Sequence, residues 1–324
     1  MGVHGLLELL RGCETYCPLN SLRGETIACD FLHSLYRLVM SMLSHGRGQK
    51  GREQRGEEER DITHLIAAFS KTMSLLRIGI LPIWVCDGKA PRIKRATLRK
   101  RKKSRQKAKE RAAQPGLSVE EKRRQKQKSF GATDEIIQDC ETLFQHMGIP
   151  FLRCPEEADS QCAAFSYLPS VFGVATDDTD ALIFGSYCVL RSFTSKGPVE
   201  IYSLESVLRH LKLTHRQLID LSNLLGNDYC HKNIQKYETF RSRSLKPISP
   251  QEALSLLQEQ GDLTSVVLAL RAINATAAKE GKKEPYVIPK DFEEQSALAA
   301  EYYLNPKIYD PRLSSLSWTP PCYS

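Results

Sequence analysis

Four short apolar runs in this chain each end at carboxylates, and no other feature limits the possible folds as tightly. Thr-Ile-Ala-Cys precedes Asp30, and Leu-Pro-Ile-Trp-Val-Cys precedes Asp87. Ile-Pro-Phe-Leu-Arg-Cys-Pro leads into Glu157 and Asp159, and Val-Phe-Gly-Val-Ala-Thr is closed by Asp177, Asp178 and Asp180. Apolar runs of this length, bounded by turn or helix signals, read as strands buried on both faces of a parallel sheet, whose carboxyl ends share one edge. The expected fold is α/β, with a central, mostly parallel, twisted sheet flanked by helices and the acids converging at one edge. Clustered carboxylates repel one another unless cations sit among the oxygens, and hard oxygen ligands with open positions suit Mg²⁺, with Mn²⁺ an acceptable substitute.

The chain has 324 residues, enough for one large or two modest domains. Its 41% hydrophobic and 26% charged content is that of an ordinary globular protein, and no apolar stretch is long enough to span a bilayer. Met1 to Arg11 lacks a basic flank followed by a continuous apolar core, so no signal peptide is expected, and Leu6 stands where a myristoylation motif requires Ser or Thr. The ten cysteines are scattered, and Cys29, Cys86, Cys154 and Cys162 fall within apolar patterns, which makes them core residues rather than disulfides. Cys13 and Cys17 have no second pair at zinc-finger spacing, so zinc is excluded. An intracellular, nuclear location is expected.

The net charge of +8 is unevenly spread. Residues 89 to 128 hold 18 Lys or Arg against 3 Glu, a local +15, which leaves the rest of the chain at −7 (8 − 15). Such concentration suits a polyanion, most simply nucleic acid phosphates. A solvated basic linker or nuclear localisation signal would have the same composition, but this run begins immediately after Asp87.

Further along, Leu6, Leu7, Leu9 and Leu10 stand at helical spacing, and a helix follows Asp30 through Leu35, Leu38, Val39 and Met42. Residues 44 to 61 are Gly-rich and charged, a surface loop. Leu65, Ile66, Phe69, Met73 and Leu76 mark an amphipathic helix that feeds the strand before Asp87, giving a right-handed crossover. Lys94 to Ala113 is helix-prone and nearly all polar; Gln114-Pro115-Gly116 breaks it before a second basic helix from Val119. A polar pair of helices does not belong in a core and is expected to arch over the sheet edge. Ala132 to His146 returns to a core pattern. Pro155 is expected to open a helix with Glu157 and Asp159 in its first turn, where helix capping competes with metal ligation as their role. Leu218, Leu221, Leu224 and Leu225 pack a helix that ends at Gly226-Asn227-Asp228-Tyr229.

Six strings in order resemble the flap endonuclease family of structure-specific 5′ nucleases: Met1-Gly2-Val3-His4-Gly5-Leu6, Ile27-Ala28-Cys29-Asp30, Val85-Cys86-Asp87-Gly88-Lys89, Glu157-Ala158-Asp159-Ser160-Gln161-Cys162, Ala175-Thr176-Asp177-Asp178-Thr179-Asp180 and Leu224-Leu225-Gly226-Asn227-Asp228-Tyr229. The resemblance spans nearly the whole chain and implies a PIN-like 5′ nuclease core over 1–230, with the basic arch at 89–130, and a helical DNA-binding region over 231–324. It implies two Mg²⁺ ions held directly or through second-layer contacts by Asp30, Asp87, Glu157, Asp159, Asp178, Asp180 and Asp228. Asp177 matches an acidic position that is not a ligand. Lys94 and Arg101 match arch residues that reach the scissile phosphate, Tyr36 an aromatic on which a base stacks, and Gly2 a position where a larger residue would obstruct substrate. Lys89, Arg92, Arg95, Arg99, Lys100, Lys102 and Lys103 are the further DNA contacts expected on the arch.

Several departures mark a divergent member, of the kind a large DNA virus could carry. Asp159 replaces the family's usual Glu, as in the exonuclease 1 branch. The family's Gly-Ile-Gly-Pro turn, which offers backbone groups to duplex phosphate and K⁺, is matched by Pro247-Ile248-Ser249-Pro250, after a longer polar segment from His231 to Lys246. Ser249 remains a candidate DNA contact, whereas the loss of both glycines places the K⁺ site in doubt. Leu304 to Pro320, with Trp318, resembles the family's closing segment. The sequence stops at Ser324 without a Gln-rich, aromatic-ended tail, so sliding-clamp binding through that peptide is not expected.

The implied activity is hydrolysis of DNA at single-strand to double-strand junctions, on 5′ flaps or nicks and on RNA-primed ends, in replication, repair and recombination. The same site could act as a 5′–3′ exonuclease, a junction resolvase or an RNA endonuclease. A nucleic-acid-binding protein with structural carboxylates is the non-enzymatic alternative.

Overall fold

The computed structural model describes residues 2–44, 62–194, 197–230, 233–237, 244–312 and 318–320. The charged loop expected at 44–61, apart from Ser44 at the end of the preceding helix, and much of the polar segment 231–246 lie outside them.

A seven-stranded sheet is built from β1 (Thr15–Cys17), β2 (Thr26–Asp30), β3 (Leu81–Cys86), β4 (Phe151–Arg153), β5 (Gly173–Ala175), β6 (Cys188–Arg191) and β7 (Val199–Ser203), in the order β1-β7-β6-β5-β2-β3-β4. The run from β6 to β4 is parallel, as expected; β7 and β1 add antiparallel pairings at one edge. Val199-Glu-Ile-Tyr has the period-two alternation of such a half-buried strand. Strand order reverses at β2: the chain steps to β3 and β4 on one side and to β5 and β6 on the other. The carboxyl ends of β2 and β5 therefore flank a topological switch point, where open α/β sheets place their sites.

Two packed cores cover the sheet faces. On one side Phe31, Trp84, Phe144 and Phe151 interlock, with ring centroids 5.2–6.0 Å apart. The Trp84 indole N–H donates to Thr72 Oγ1 at 3.1 Å, which satisfies the polar atom inside this apolar layer. On the other side the helices Ala158–Phe165, His215–Leu225, Pro250–Gln260 and Leu263–Lys279 bury a larger apolar cluster. Cys29, Cys86, Cys154 and Cys162 are buried free thiols.

Most helices follow their patterns, with three corrections. Leu6–Leu9 makes only one turn. The helix Thr63–Ile78 turns His64, Ala67, Ala68, Thr72 and Leu75 inward and leaves Ile66 and Phe69 exposed. Small residues allow close approach there, and His64 reaches Asp139 at 3.0 Å. The third concerns Pro155, which starts no helix: the helix runs Ala158–Phe165, and the Pro155 and Glu156 carbonyls instead accept from Lys89 and Gly88 N–H. That tie brings the loops after β3 and β4 so close that a Cβ on Gly88 would lie 1.9 Å from the Cys154 carbonyl oxygen.

The C-terminal region is not purely helical. β8 (Gln235–Tyr237), β9 (Leu245–Pro247) and β10 (Tyr286–Val287) form a second, antiparallel sheet. Pro247-Ile248-Ser249-Pro250 runs from the end of β9 into the helix Pro250–Gln260, capped by the Ser249 side chain. A strand thus precedes this turn.

Phe144→Ala should cost about 3–5 kcal/mol, because it removes the ring shared by Phe31, Trp84 and Phe151 and leaves a cavity. Urea unfolding with a midpoint unchanged from the parent protein would contradict this account of the core.

Candidate metal centre

Each strand end delivers its acid to the same edge. Asp30 is the last residue of β2, and its Oδ1 accepts the His33 N–H at 2.9 Å, capping the helix Phe31–Ser44. Asp87 follows β3 and accepts the Ala158 N–H at 2.7 Å. Asp87 thereby supplies the cap that the sequence offered to Glu157 or Asp159, and their oxygens are left for other work. Glu157 is buried, and its Oε2 accepts from Tyr229 Oη at 3.1 Å and from Lys94 Nζ. Asp178 and Asp180 follow β5 and are buried, the Asp178 Oδ1 accepting the Asp180 N–H at 3.2 Å. Asp228 enters from the turn after the helix His215–Leu225.

The acids share one electrostatic environment. Loss of water followed by the nearby Asp87 charge pushes the Asp30 carboxyl up to about 7. Asp87 is raised to about 6, by desolvation and then by the nearby Glu157 charge. Asp159 and Asp180 stand well above the ordinary carboxylate range, through desolvation and then Asp178. The Oδ1 atoms of Asp159 and Asp180 are buried without a hydrogen-bond partner. Buried, mutually repelling oxygens with unused lone pairs fit a divalent cation.

The cage is not closed, however: among the described residues no three His, Cys, Asp or Glu side chains surround a single point at ligating distance. Two arch cations draw part of the set aside. Lys94 Nζ pairs with Glu157 and lies 3.3 Å from Asp228, while Arg101 binds both Asp228 oxygens at 2.9 and 2.8 Å. Burial opposes the Lys94 charge, but Glu157 and Asp228 outweigh it and raise its pKa above that of an ordinary lysine.

Asp177 stands apart: it pairs with Arg37, accepts the Ser192 N–H at 2.8 Å and lies 3.4 Å from His33 Nε2. It borders a cavity of about 400 Å³, lined also by Lys71 and Phe193, that contains none of the seven acids.

The remaining candidates divide by location. Gly2, at φ 94°, packs against Asp178 and Thr179, and a Cβ there would lie 2.3 Å from Asp178 Oδ1, so a larger residue would collide with a carboxylate before it met substrate. Thr179 Oγ1 accepts the Val3 N–H at 2.9 Å and pins the N-terminal segment to this wall. These two residues are 176 positions apart, and no local sequence signal announces the contact. Tyr36 is 42% exposed with its ring 5.9 Å from Phe130, which rules out a purely core role. Lys89, Arg92, Arg95, Arg99, Lys100, Lys102 and Lys103 are exposed. Ser249 is exposed, with its hydroxyl accepting the Glu252 N–H at 3.2 Å. Tyr229, assigned no role from the sequence, carries the hydroxyl that donates to Glu157 Oε2 at 3.1 Å.

The raised carboxyl pKa values set the sign of a pH effect. Between about pH 4 and pH 7 the folded protein retains protons on Asp30 and Asp87 that the unfolded chain has released, so without metal its stability falls as pH rises through that window. A divalent cation held here would bind the ionised oxygens, so its stabilisation should be small near about pH 5 and grow toward about pH 7.5. Melting temperatures with Mg²⁺ or EDTA across this range test the point; a metal-induced shift independent of pH would contradict it.

Comparison with known proteins agrees with this geometry. The XPG N-terminal domain matches residues 1–108 and the XPG I-region residues 148–228. Flap endonuclease 1 of Tetrahymena thermophila is 30% identical over 99% of this chain and 81% of its own length. Flap endonuclease 1 of Homo sapiens is 28% identical over 99% and 79%. Among solved structures, the catalytic core of Rad2 in complex with DNA substrate superposes with a TM-score of 0.71 at 24% identity, covering 99% of this chain and 91% of that one. Flap endonuclease-1 from Methanococcus jannaschii gives a TM-score of 0.63 at 23% identity, over 94% and 85%. The chain belongs to the flap endonuclease family, XPG-type nucleases that generally work with divalent metal ions.

Proposed function

We propose that this protein is a structure-specific 5′ nuclease that hydrolyses a DNA phosphodiester bond where a 5′ single-stranded flap meets duplex, during replication or repair in the nucleus. The observation that carries the reading is the gathering of seven acids from separate chain segments at one sheet edge, directly beneath Lys94 and Arg101.

Asp30, Asp87, Glu157, Asp159, Asp178, Asp180 and Asp228 are the residues assigned to hold two Mg²⁺ ions, in direct contact or through bridging water. When bound, such ions neutralise phosphate charge, make an attacking water more acidic and stabilise the leaving 3′ oxygen. Lys94 and Arg101 add positive charge where the phosphate oxygens gain negative charge, and both already sit at the acids they would leave for substrate. Tyr36 is exposed to stack on a base next to the cleaved bond, Phe130 bracing its ring. Gly2 keeps the approach to Asp178 clear. Ser249, exposed at the start of the helix Pro250–Gln260, offers its hydroxyl to duplex phosphate. The rigid Pro247 and Pro250 flanking that turn give no support to a K⁺ site.

Incubation with labelled 5′ flap, nicked duplex, four-way junction and single-stranded RNA, with Mg²⁺ or EDTA, tests the assignment. A single Mg²⁺-dependent incision at the flap junction is expected. Preferential cutting of the four-way junction or RNA would replace the flap reading, and binding without cutting of any substrate would leave the carboxylates structural. Asp180→Asn should reduce incision by more than about 100-fold while flap binding persists, and Arg101→Ala should reduce it about 100- to 1000-fold. Loss of binding in parallel with incision in Asp180→Asn would overturn the role given to that residue.

A further inference from the structure

The helix Phe292–Leu304 packs behind the acid cluster and carries a hydroxyl that packing alone does not explain. Its Ser296 carbonyl accepts from Asn223 Nδ2 at 3.1 Å, and Asn223 Oδ1 accepts from Asn227 Nδ2 at 2.9 Å. Asn227 Oδ1 in turn accepts the N–H groups of Tyr229 and Cys230, at 2.9 and 2.7 Å. The helix is thus tied, bond by bond, to the turn that presents Asp228. Near its end, Tyr303 sets its ring against Tyr229 and Phe184, with centroids 5.0 and 4.8 Å away. Phe184 follows the short helix that Asp180 opens, its N–H donating to the Asp180 carbonyl at 2.8 Å. One side chain therefore braces two of the segments that deliver acids.

The ring would suffice for that bracing. Tyr303 is 1% exposed, yet its Oη has no hydrogen-bond partner among the described residues. A buried, unpaired hydroxyl is costly, and phenylalanine would fill the same space without the cost. Burial, followed by the charges of Asp180, Asp178, Asp228 and Asp159, keeps the phenol protonated by holding it well above its ordinary range. Tyr303 is therefore a lasting O–H donor beside a group of acceptors. Asp180 exerts the largest charge effect of the four, and its Oδ1 is likewise buried without a partner. An orphaned donor and an orphaned acceptor share one wall of the site. Tyr229, on the same wall, already makes the corresponding bond, its hydroxyl donating to Glu157 Oε2 at 3.1 Å.

We propose that Tyr303 is a positioning residue of the metal centre: its O–H donates to Asp180 Oδ1 through one buried water and fixes how that carboxylate faces a divalent cation. The inference rests on the reading of the acids as a metal centre and is independent of which DNA junction is cut. A carboxylate turns about its last bond, so one oxygen ligates more firmly when the other is held. Tyr229 and Tyr303 then steady two acids of the cluster, Glu157 and Asp180, from the same side.

The test is Tyr303→Phe, which keeps the ring and deletes only the oxygen. Mn²⁺ affinity of the DNA-free protein is measured by isothermal titration calorimetry, in the parent and the variant. Loss of a hydrogen-bond partner behind a ligand weakens metal binding by about 10- to 100-fold, and a fall within that range is expected. The Mg²⁺ concentration for half-maximal incision should rise by the same factor, while DNA binding in EDTA and the melting temperature in EDTA stay at parent values. An affinity within about twofold of the parent's would overturn the proposal. So would weaker Mn²⁺ binding accompanied by a lower melting temperature in EDTA, because the hydroxyl would then support the fold rather than the ligand. A parent chain that binds no Mn²⁺ would overturn the reading of the acids as a metal centre and this inference with it. Mn²⁺ binding by the parent that Tyr303→Phe leaves intact overturns this inference alone.

Discussion

Repulsion among carboxylates is the constraint around which this structure is organised. Parallel strands bring Asp30, Asp87, Asp159, Asp178 and Asp180 to one edge, and the electrostatic penalty appears in the raised carboxyl pKa values of Asp30, Asp87, Asp159 and Asp180. The fold contains this repulsion with directed hydrogen bonds. Asp30 and Asp87 cap the helices that begin at Phe31 and Ala158, and Tyr229 fixes Glu157 from behind. Backbone N–H groups at a helix start are suited to the task, since the helix dipole places partial positive charge there.

The arch is the counterweight. Its +15 faces a remainder of −7, and the contact is specific: Lys94 and Arg101 reach Glu157 and Asp228. On the proposed function, the same two side chains would exchange these acids for phosphate. Lys94 is nearly enclosed and Arg101 about one-third exposed, so exchanging these partners is costlier for Lys94.

The C-terminal region departs furthest from what the resemblance implied. A small sheet of β8, β9 and β10 leads into the helix Pro250–Gln260, with Lys236 and Tyr286 both hydrogen-bonded to Glu252 at 2.7 and 2.8 Å. Gly5 packs so close that a Cβ there would lie 2.5 Å from Pro250 Cγ, so this region and the N-terminal segment form one continuous wall.

The sequence by itself determined the four strands β2, β3, β4 and β5, their acids and the basic helices, because apolar runs, turn residues and charge blocks are local signals that survive without partners. It also placed the break at Gln114-Pro115-Gly116. Only the tertiary structure decided which acid caps which helix, which stripe of Thr63–Ile78 turns inward, and that Pro155 serves as a hydrogen-bond acceptor. It alone revealed the contact of Val3 with Thr179. Those outcomes depend on groups far apart in the chain competing for the same hydrogen bonds and the same space, and no window of sequence contains both competitors.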